Sequence, residues 1–324
     1  LQEWLDWCEQ LHPVAIDMGL DRVKTVADRM QLRFECPVIT VAGTNGKGST
    51  CAMLEAVYTQ SGYRTGVYTS PHLVHFEERC RVAGEPVATN DLLPAFAEVE
   101  VARKGQGGDD GGEVSLSYFE FTTLAILRTL SRSGLDVAIL EVGLGGRLDA
   151  VNIVDPDVAV ITTVDIDHTD WLGHDREAIG AEKAGIARAW KPLVLGEVDS
   201  PSSVLRHAYA IGANALRLGS DFFHEPIDSQ RWRWREVGAE LELPSPALSA
   251  PSQRANAATA IAALRALPGE PVPDAAFAEG VAKAVLPGRL QPFQRDGVEI
   301  VLDVGHNPQA ARELAAWLQA RPIA

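Results

Sequence analysis

Residues 43–50 read Gly-Thr-Asn-Gly-Lys-Gly-Ser-Thr and lie between two segments of different periodicity. The apolar stretch Pro37-Val38-Ile39-Thr40-Val41 precedes them, and the helical pattern of residues 51–58 follows. Strand, glycine-rich turn and helix, in that order, constrain the local fold severely. Backbone N–H groups at such a turn point inward and bind phosphate, helped by the helix N-terminus. Lys47 adds a positive charge, and Ser49 or Thr50 can offer a hydroxyl to a phosphate-bound Mg²⁺. The run departs from strict G-x-x-x-x-G-K-[ST], with Val41 in place of the first glycine and Gly48 in place of the hydroxyl residue. A ligand-free turn is the plain alternative. All the parts stand in the order the mechanism needs, which favours a bound nucleoside triphosphate.

The chain has 324 residues, enough for two domains or one large domain plus a fragment, and its hydrophobic content of 46% suffices for a packed core. A net charge of −15 argues against nucleic-acid or membrane-surface binding, since both reward basic surface. Any ligand phosphate must be met by local positive groups. Cys8, Cys36, Cys51 and Cys80 are widely spaced, which fits reduced thiols in a cytoplasmic protein better than a disulfide frame or zinc site. No apolar run approaches the ~20 residues of a membrane span. Glu3, Asp6 and Glu9 interrupt any signal-peptide pattern, and the missing initiator Met suggests trimming.

Apolar runs at 65–69, 137–142, 158–164 and 193–196 alternate with helical patterns at 121–131 and 177–189. Such alternation predicts an α/β fold with a mainly parallel sheet covered by helices on both faces. Ligands then collect at the carboxyl ends of the strands. Residues 105–112 read as a flexible surface loop, 232–236 and 240–243 as a β-hairpin, and 256–267 as an Ala-rich helix. The alternation Trp232-Arg233-Trp234-Arg235 predicts one packed face. Residues 1–286 are expected to form the ATP-binding domain and 287–297 a linker. A strand at 298–304 and a helix at 308–320 then begin a second domain, too small to bury a core by itself.

Several polar clusters follow predicted strand ends. Glu141 precedes Val142-Gly143-Leu144-Gly145-Gly146-Arg147 and is placed to hold a phosphate-bridging Mg²⁺; a solvated Glu before an ordinary turn is an equal alternative. Asp165-Ile166-Asp167-His168-Thr169-Asp170 forms a plausible cation site, though by itself a solvated acidic loop with a satisfied histidine is the better explanation. Ser70 could give an oxygen to a metal or simply cap a helix. Lys183 reads alone as a surface lysine, and Asp303, His306 and Asn307 as ordinary turn chemistry.

Taken together, residues 41–50, 68–73, 140–152, 167–173, 182–186, 287–289 and 302–308 resemble the folylpolyglutamate synthase and dihydrofolate synthase family, in the Mur-ligase-like superfamily. The phosphate turn alone indicates only the superfamily; residues 144–149 with 167–171 are far more specific. Residues 16–23 resemble members that carry both activities. The resemblance implies Mg²⁺ ligation by Ser70, Glu141 and His168, with Ser49 near a second ion. It implies a carbamylated Lys183 that helps hold metal, and catalytic roles for Lys47, Lys183 and His168. ATP contacts are implied at Asn45, Gly46, Lys47, Gly48, Ser49, Thr50, Asn256, Arg289, Asp303 and His306. The pterin pocket would draw on Asp17, Met18, Gly19, Ser117, Tyr118, Phe119, Glu120, Leu148, Asp149 and Ala150.

The implied activity is ATP-dependent ligation of L-glutamate to dihydropteroate, to tetrahydrofolate, or to both, through an acyl phosphate; nothing in the sequence demands a partner, so a monomer is the default expectation. Gly305 stands where the family more often carries Ala, and the family's C-terminal domain extends further than this chain. A chain ending here is expected to bind nucleotide weakly and turn over poorly. The competing readings are another Mur-type amino-acid ligase, a P-loop phosphotransferase or switch NTPase, and a non-catalytic nucleotide-binding remnant.

Overall fold

A computed structural model describes residues 1–14, 16–105 and 112–321. Its strands are β1 (Val38–Ala42), β2 (Thr65–Tyr68), β3 (Cys80–Val82), β4 (Glu85–Pro86), β5 (Val137–Glu141), β6 (Val158–Ile161), β7 (Pro192–Leu195) and β8 (Asn214–Arg217). They form one sheet in the order β4-β3-β2-β5-β1-β6-β7-β8, parallel from β2 to β8, with β3 and β4 antiparallel at one edge. Every residue of β1 is buried, as a strand covered on both faces requires.

Helices cover both faces. They are α1 (Gln2–Cys8), α2 (Asp21–Arg29), α3 (Lys47–Gln60), α4 (Thr89–Lys104), α5 (Tyr118–Ser131), α6 (Thr169–Leu172), α7 (Arg176–Ala184), α8 (Ser202–Ile211), α9 (Gln253–Ala266), α10 (Asp274–Lys283) and α11 (Pro308–Gln319). Alternate strand residues enter different cores, because side chains of a strand alternate between faces. Ile39, Val41, Val137, Ile139, Val158 and Val160 pack with α3, α9 and α10. Val38, Ala138 and Leu140 pack with α1, α2, α4 and α5. Ala42, Ala159 and Ile161 pack with α7 and α8 on that same second face.

Strands β9 (Phe222–Pro226), β10 (Arg231–Glu236) and β11 (Ala239–Pro244) form a small antiparallel sheet. Trp232 and Trp234 are fully buried from one face of β10. Their indole N–H groups donate to the carbonyls of Pro244 (2.9 Å) and Ala258 (3.1 Å), the partners that buried indoles need. Arg231, Arg233 and Arg235 project to the other face and pair with acids.

Several boundaries differ from the sequence expectation, by a residue or a few at most helix and strand ends and more informatively at three places. Strand β6 stops at Ile161 instead of running to 164, because Thr162 and Thr163 turn their hydroxyls to the Asn45 carbonyl. Helix α7 ends at Ala184, and its end is occupied by Gly146 and Arg147 of a neighbouring loop. Part of the segment read as a linker is strand β12 (Gln291–Arg295), paired antiparallel with β13 (Val298–Leu302). Loop residues 106–111 lie outside the described residues. Among the described residues, no helix is long and apolar enough to cross a membrane. All four cysteines are free, and burial pushes the thiols of Cys8 and Cys80 up to about 12.

Candidate active site

The phosphate turn leaves the central strand β1, which is hydrogen-bonded on both sides. Pairing aligns Val41 with Glu141 of β5, so the acid reaches the turn by sheet register. Gly46 has φ +87°, and a Cβ there would stand 2.6 Å from Asn256 Oδ1. Glycine is therefore required for both conformation and space. Lys47 Nζ folds back to donate to the carbonyls of Gly43 (2.9 Å) and Thr44 (3.3 Å). The buried Thr50 hydroxyl has no partner among the described residues. Ser49 Oγ accepts a bond from Gln253 Nε2 at 3.2 Å, and Asn256 Nδ2 donates to Gln253 Oε1 at 3.1 Å. Gln253 is a site residue that carried no motif in the sequence.

Gly43, Lys47, Ser70, Glu141, His168 and Lys183 line one cleft of about 300 Å³. Glu141 is 5% exposed and accepts the Ser70 backbone N–H at 3.3 Å. Burial pushes its carboxyl up, against the pull of Lys47, Arg289 and Arg81. A buried carboxylate, a serine and an imidazole form a donor set suited to a hard divalent cation, and Glu141 has capacity for one. Lys183 is 3% exposed, and desolvation with the nearby Lys47 charge pushes its amine down to about 7.

Ser70, Glu141, His168 and Lys183 of the expected metal set all line this cleft, and His168 also belongs to a further group of possible ligands. Among the described residues, the carboxylate and imidazoles whose ligand atoms lie within 4.8 Å of one another are Asp167, His168 and His306. His168 adopts φ +49° at the N-terminus of α6, which places its ring beside this group. Ser49 faces the adjoining nucleotide-side pocket instead of the cleft. Of the acidic run, Asp165 is engaged by Arg312 and Asp167 accepts from Asn307 Nδ2 at 2.9 Å. These bonds tie the loop after β6 to α11.

Asn256, Arg289 and Asp303 line the nucleotide-side pocket together with Asn45 and Gly46. Asp303 accepts from the backbone N–H groups of Leu290 (2.9 Å) and Gly305 (2.7 Å). His306 lines the phosphate cleft and not this pocket. Asn307 caps α11 through Ala310 N (3.0 Å) and also bonds Asn45, so β12, β13 and α11 close against the turn.

A second chamber of about 270 Å³ adjoins the cleft and shares Ser70, Pro71, Gly143, Leu144 and His168 with it. Every residue expected in the pterin pocket lines it except Tyr118, whose ring lies outside against the Arg79 guanidinium, 5.9 Å away. Sequence reasoning missed Arg79 and Ile16 in this wall. Ser117 and Glu120 form a capping box on α5, a local S-x-x-E signal that fixes both side chains. Arg22 bridges Glu120 (2.9 Å) and Asp17 (2.7 Å), and His12 Nε2 meets Asp17 at 3.0 Å. The His12 bond, opposed by slight burial, then Arg22, holds the Asp17 carboxyl low. Asp149 is buried and accepts the N–H groups of Leu144 (2.8 Å) and Val151 (2.9 Å). Desolvation outweighs those bonds and pushes its carboxyl up to about 6.

Comparison with known proteins assigns this geometry to a family. The Mur ligase middle domain matches residues 41–243. The dihydrofolate synthase/folylpolyglutamate synthase of Escherichia coli K12 is 47% identical over 99% of this chain and 73% of its own. A solved E. coli FolC in complex with DHPP and ADP superposes with a TM-score of 0.92 at 46% identity, covering 100% of this chain and 75% of that one. A bifunctional folylpolyglutamate synthase/dihydrofolate synthase with Mn, AMPPNP and L-glutamate bound gives 0.88 at 45% identity, over 98% and 74% of the two chains. With the Mur ligase middle domain matched over residues 41–243 and relatives of this identity aligned along nearly the whole chain, this chain belongs to the dihydrofolate synthase/folylpolyglutamate synthase family.

Proposed function

We propose that this protein uses ATP to join L-glutamate to the carboxylate of dihydropteroate and to the terminal γ-carboxylate of a tetrahydrofolate. The observation that carries this reading is the wall shared by the two chambers. An acceptor bound in the second chamber can present its carboxylate past Ser70, Gly143 and His168 to a γ-phosphate in the cleft. The carboxylate oxygen attacks the γ-phosphorus, ADP leaves, and the acyl phosphate that forms is attacked by the glutamate amine. Phosphate departs and an amide remains. No protein nucleophile is needed, so catalysis rests on positioning and charge stabilisation.

In this reading Lys47 leaves the carbonyls of Gly43 and Thr44 to meet phosphate oxygens. Ser70, Glu141 and His168 hold a divalent cation, with Ser49 near a second. Bound there, the cations neutralise phosphate charge and the charge developing in the transition state. An amine pushed down to about 7 is neutral often enough to take up CO₂, which supports a carbamate on Lys183 as an added ligand. Asn256, Arg289 and Asp303 hold the nucleotide, and Asp17, Glu120 and Asp149 the pterin. Residues 1–286 are the ATP-binding domain and 298–324 belong to a second, glutamate-binding one. The protein acts in the cytoplasm as a monomer.

ADP release with ATP and Mg²⁺ tests the activity. It should require L-glutamate together with dihydropteroate or tetrahydrofolate. Glutamate-independent hydrolysis, or stimulation only by a uridine nucleotide and an amino acid, would overturn it. A ¹³C carbamate signal from labelled bicarbonate, absent in Lys183→Ala, tests the modification.

A further inference from the structure

Arg79 departs from the rule that buried charges are paired. It is 8% exposed, yet among the described residues no carboxylate pairs with it. Buried Arg103 is engaged by Glu100 at 2.7 Å, and the partly buried Arg81 nearby by Glu55 at 2.8 Å. The only side-chain hydrogen bond Arg79 makes among the described residues runs from Nε to His72 Nδ1, at 2.8 Å. The rings of Phe76 and Tyr118 lie 5.5 and 5.9 Å from its guanidinium carbon and fix its plane. Both terminal nitrogens are left without an acceptor in a side chain that lines the second chamber. The acids of the same wall are already satisfied, Asp17 and Glu120 by Arg22, and Asp149 by backbone N–H groups. Arg79 is thus the guanidinium of this wall left without an anionic partner among the described residues.

We infer that Arg79 binds the α-carboxylate of a folate's terminal glutamate and thereby sets how well the protein accepts folate relative to dihydropteroate. The inference rests on the ligase reading above. Dihydropteroate has one carboxylate, and it must enter the phosphate cleft to react. A folate brings a second, the α-carboxylate, which stays outside that cleft when the γ-carboxylate reacts. Arg79 lines the second chamber and not the cleft. A planar guanidinium with two free N–H edges matches a carboxylate bidentately. His72 is the positioning residue, since its bond to Nε turns the terminal nitrogens toward the chamber.

The test is equilibrium binding followed by pteridine fluorescence, with Mg²⁺ and AMPPNP present. The ligands are 7,8-dihydropteroate, 7,8-dihydrofolate and the α-carboxamide of dihydrofolate. The unaltered protein should bind dihydrofolate about ten- to a hundredfold tighter than its α-amide, the usual worth of a charge-assisted hydrogen bond. Arg79→Gln should erase that preference and shift the dihydrofolate-to-dihydropteroate affinity ratio by about tenfold or more. Arg79→Lys, which keeps the charge but not the fork, should retain part of it. Equal losses for dihydropteroate and dihydrofolate would show that Arg79 reads the shared pterin or benzoyl portion, and would overturn the inference. So would equal binding of dihydrofolate and its α-amide by the unaltered protein, a comparison that holds even if Arg79→Gln fails to fold. An unaltered protein that binds none of the three ligands would instead sink the ligase reading, and this inference with it.

Discussion

The phosphate cleft and the second chamber share a wall but are built by opposite electrostatic means. In the cleft the charged groups are poorly matched. Lys47 rests on carbonyls, Lys183 is buried with its amine pushed down, and Glu141 is buried with its carboxyl pushed up. In the chamber the acids are matched in advance by Arg22, by a capping box and by loop N–H groups. The cleft therefore gains most of its order from its ligand's charge, whereas most of the chamber's wall is ordered before a ligand arrives. Arg79, with no acidic partner among the described residues, and Asp149, whose carboxyl burial pushes up to about 6, are the parts of the chamber that resemble the cleft.

This contrast can be broken by substitution, and the largest effect belongs to the cleft. Lys47→Ala should lower ligase turnover by on the order of 10³-fold, since it removes a preorganised charge from the transferring phosphoryl group. Dihydropteroate affinity should change little, and an equal loss of both in paired kinetic and binding measurements would show that the two regions are one. Gly46→Ala comes next. It forces a side chain into φ +87° and within 2.6 Å of Asn256 Oδ1, so nucleotide affinity measured by calorimetry should fall by about ten- to a hundredfold.

Arg22→Met attacks the chamber's prior matching. Glu120, almost fully buried, loses its cation, and Asp17 is half-exposed and suffers less. A stability loss of about 2 kcal/mol is expected, with roughly tenfold weaker dihydropteroate binding and nearly unchanged nucleotide binding. Urea unfolding and titration would check both.

The smallest effect is on pH. Folding raises the Asp149 carboxyl from 3.8 to about 6. The stability tied to its proton is therefore fully present below the unfolded value and is lost as pH rises through about 6. Ionised Asp149 accepts pterin N–H donors better, so dihydropteroate affinity should rise a few-fold between about pH 5 and 7 while the melting temperature falls. A flat binding profile would remove Asp149 from pterin recognition.

The cleft was more legible in the sequence than the chamber because its chemistry is concentrated in short runs. Residues 43–50 carry glycine, lysine and hydroxyls in consecutive positions, and Glu141 sits at a readable strand end. The chamber is assembled from residues 16–19, 79, 117–120 and 148–150, which no periodicity links. Most of its members were reached through the family resemblance. Arg79 lies in an unremarkable Glu-Glu-Arg-Cys stretch and was missed, because only the packing of Phe76, Tyr118 and His72 around it shows that it is buried and unpaired. Gln253 was missed for the same reason. The strand β12 was read as linker because Pro292 and its polar neighbours carry little strand pattern, and pairing with β13 overrides that.

The sequence by itself determined an α/β sheet with a phosphate turn at a strand end, a buried tryptophan hairpin and the family to which the chain belongs. Those follow from local periodicity and contiguous motifs, which depend on neighbours along the chain. Only the tertiary structure decided that Glu141 lies beside the turn, that Asp167 and His168 meet His306, and that the two chambers share a wall. Strand register and side-chain burial set these relations between distant residues. Neither is encoded in any short stretch, because each depends on where the rest of the chain excludes water.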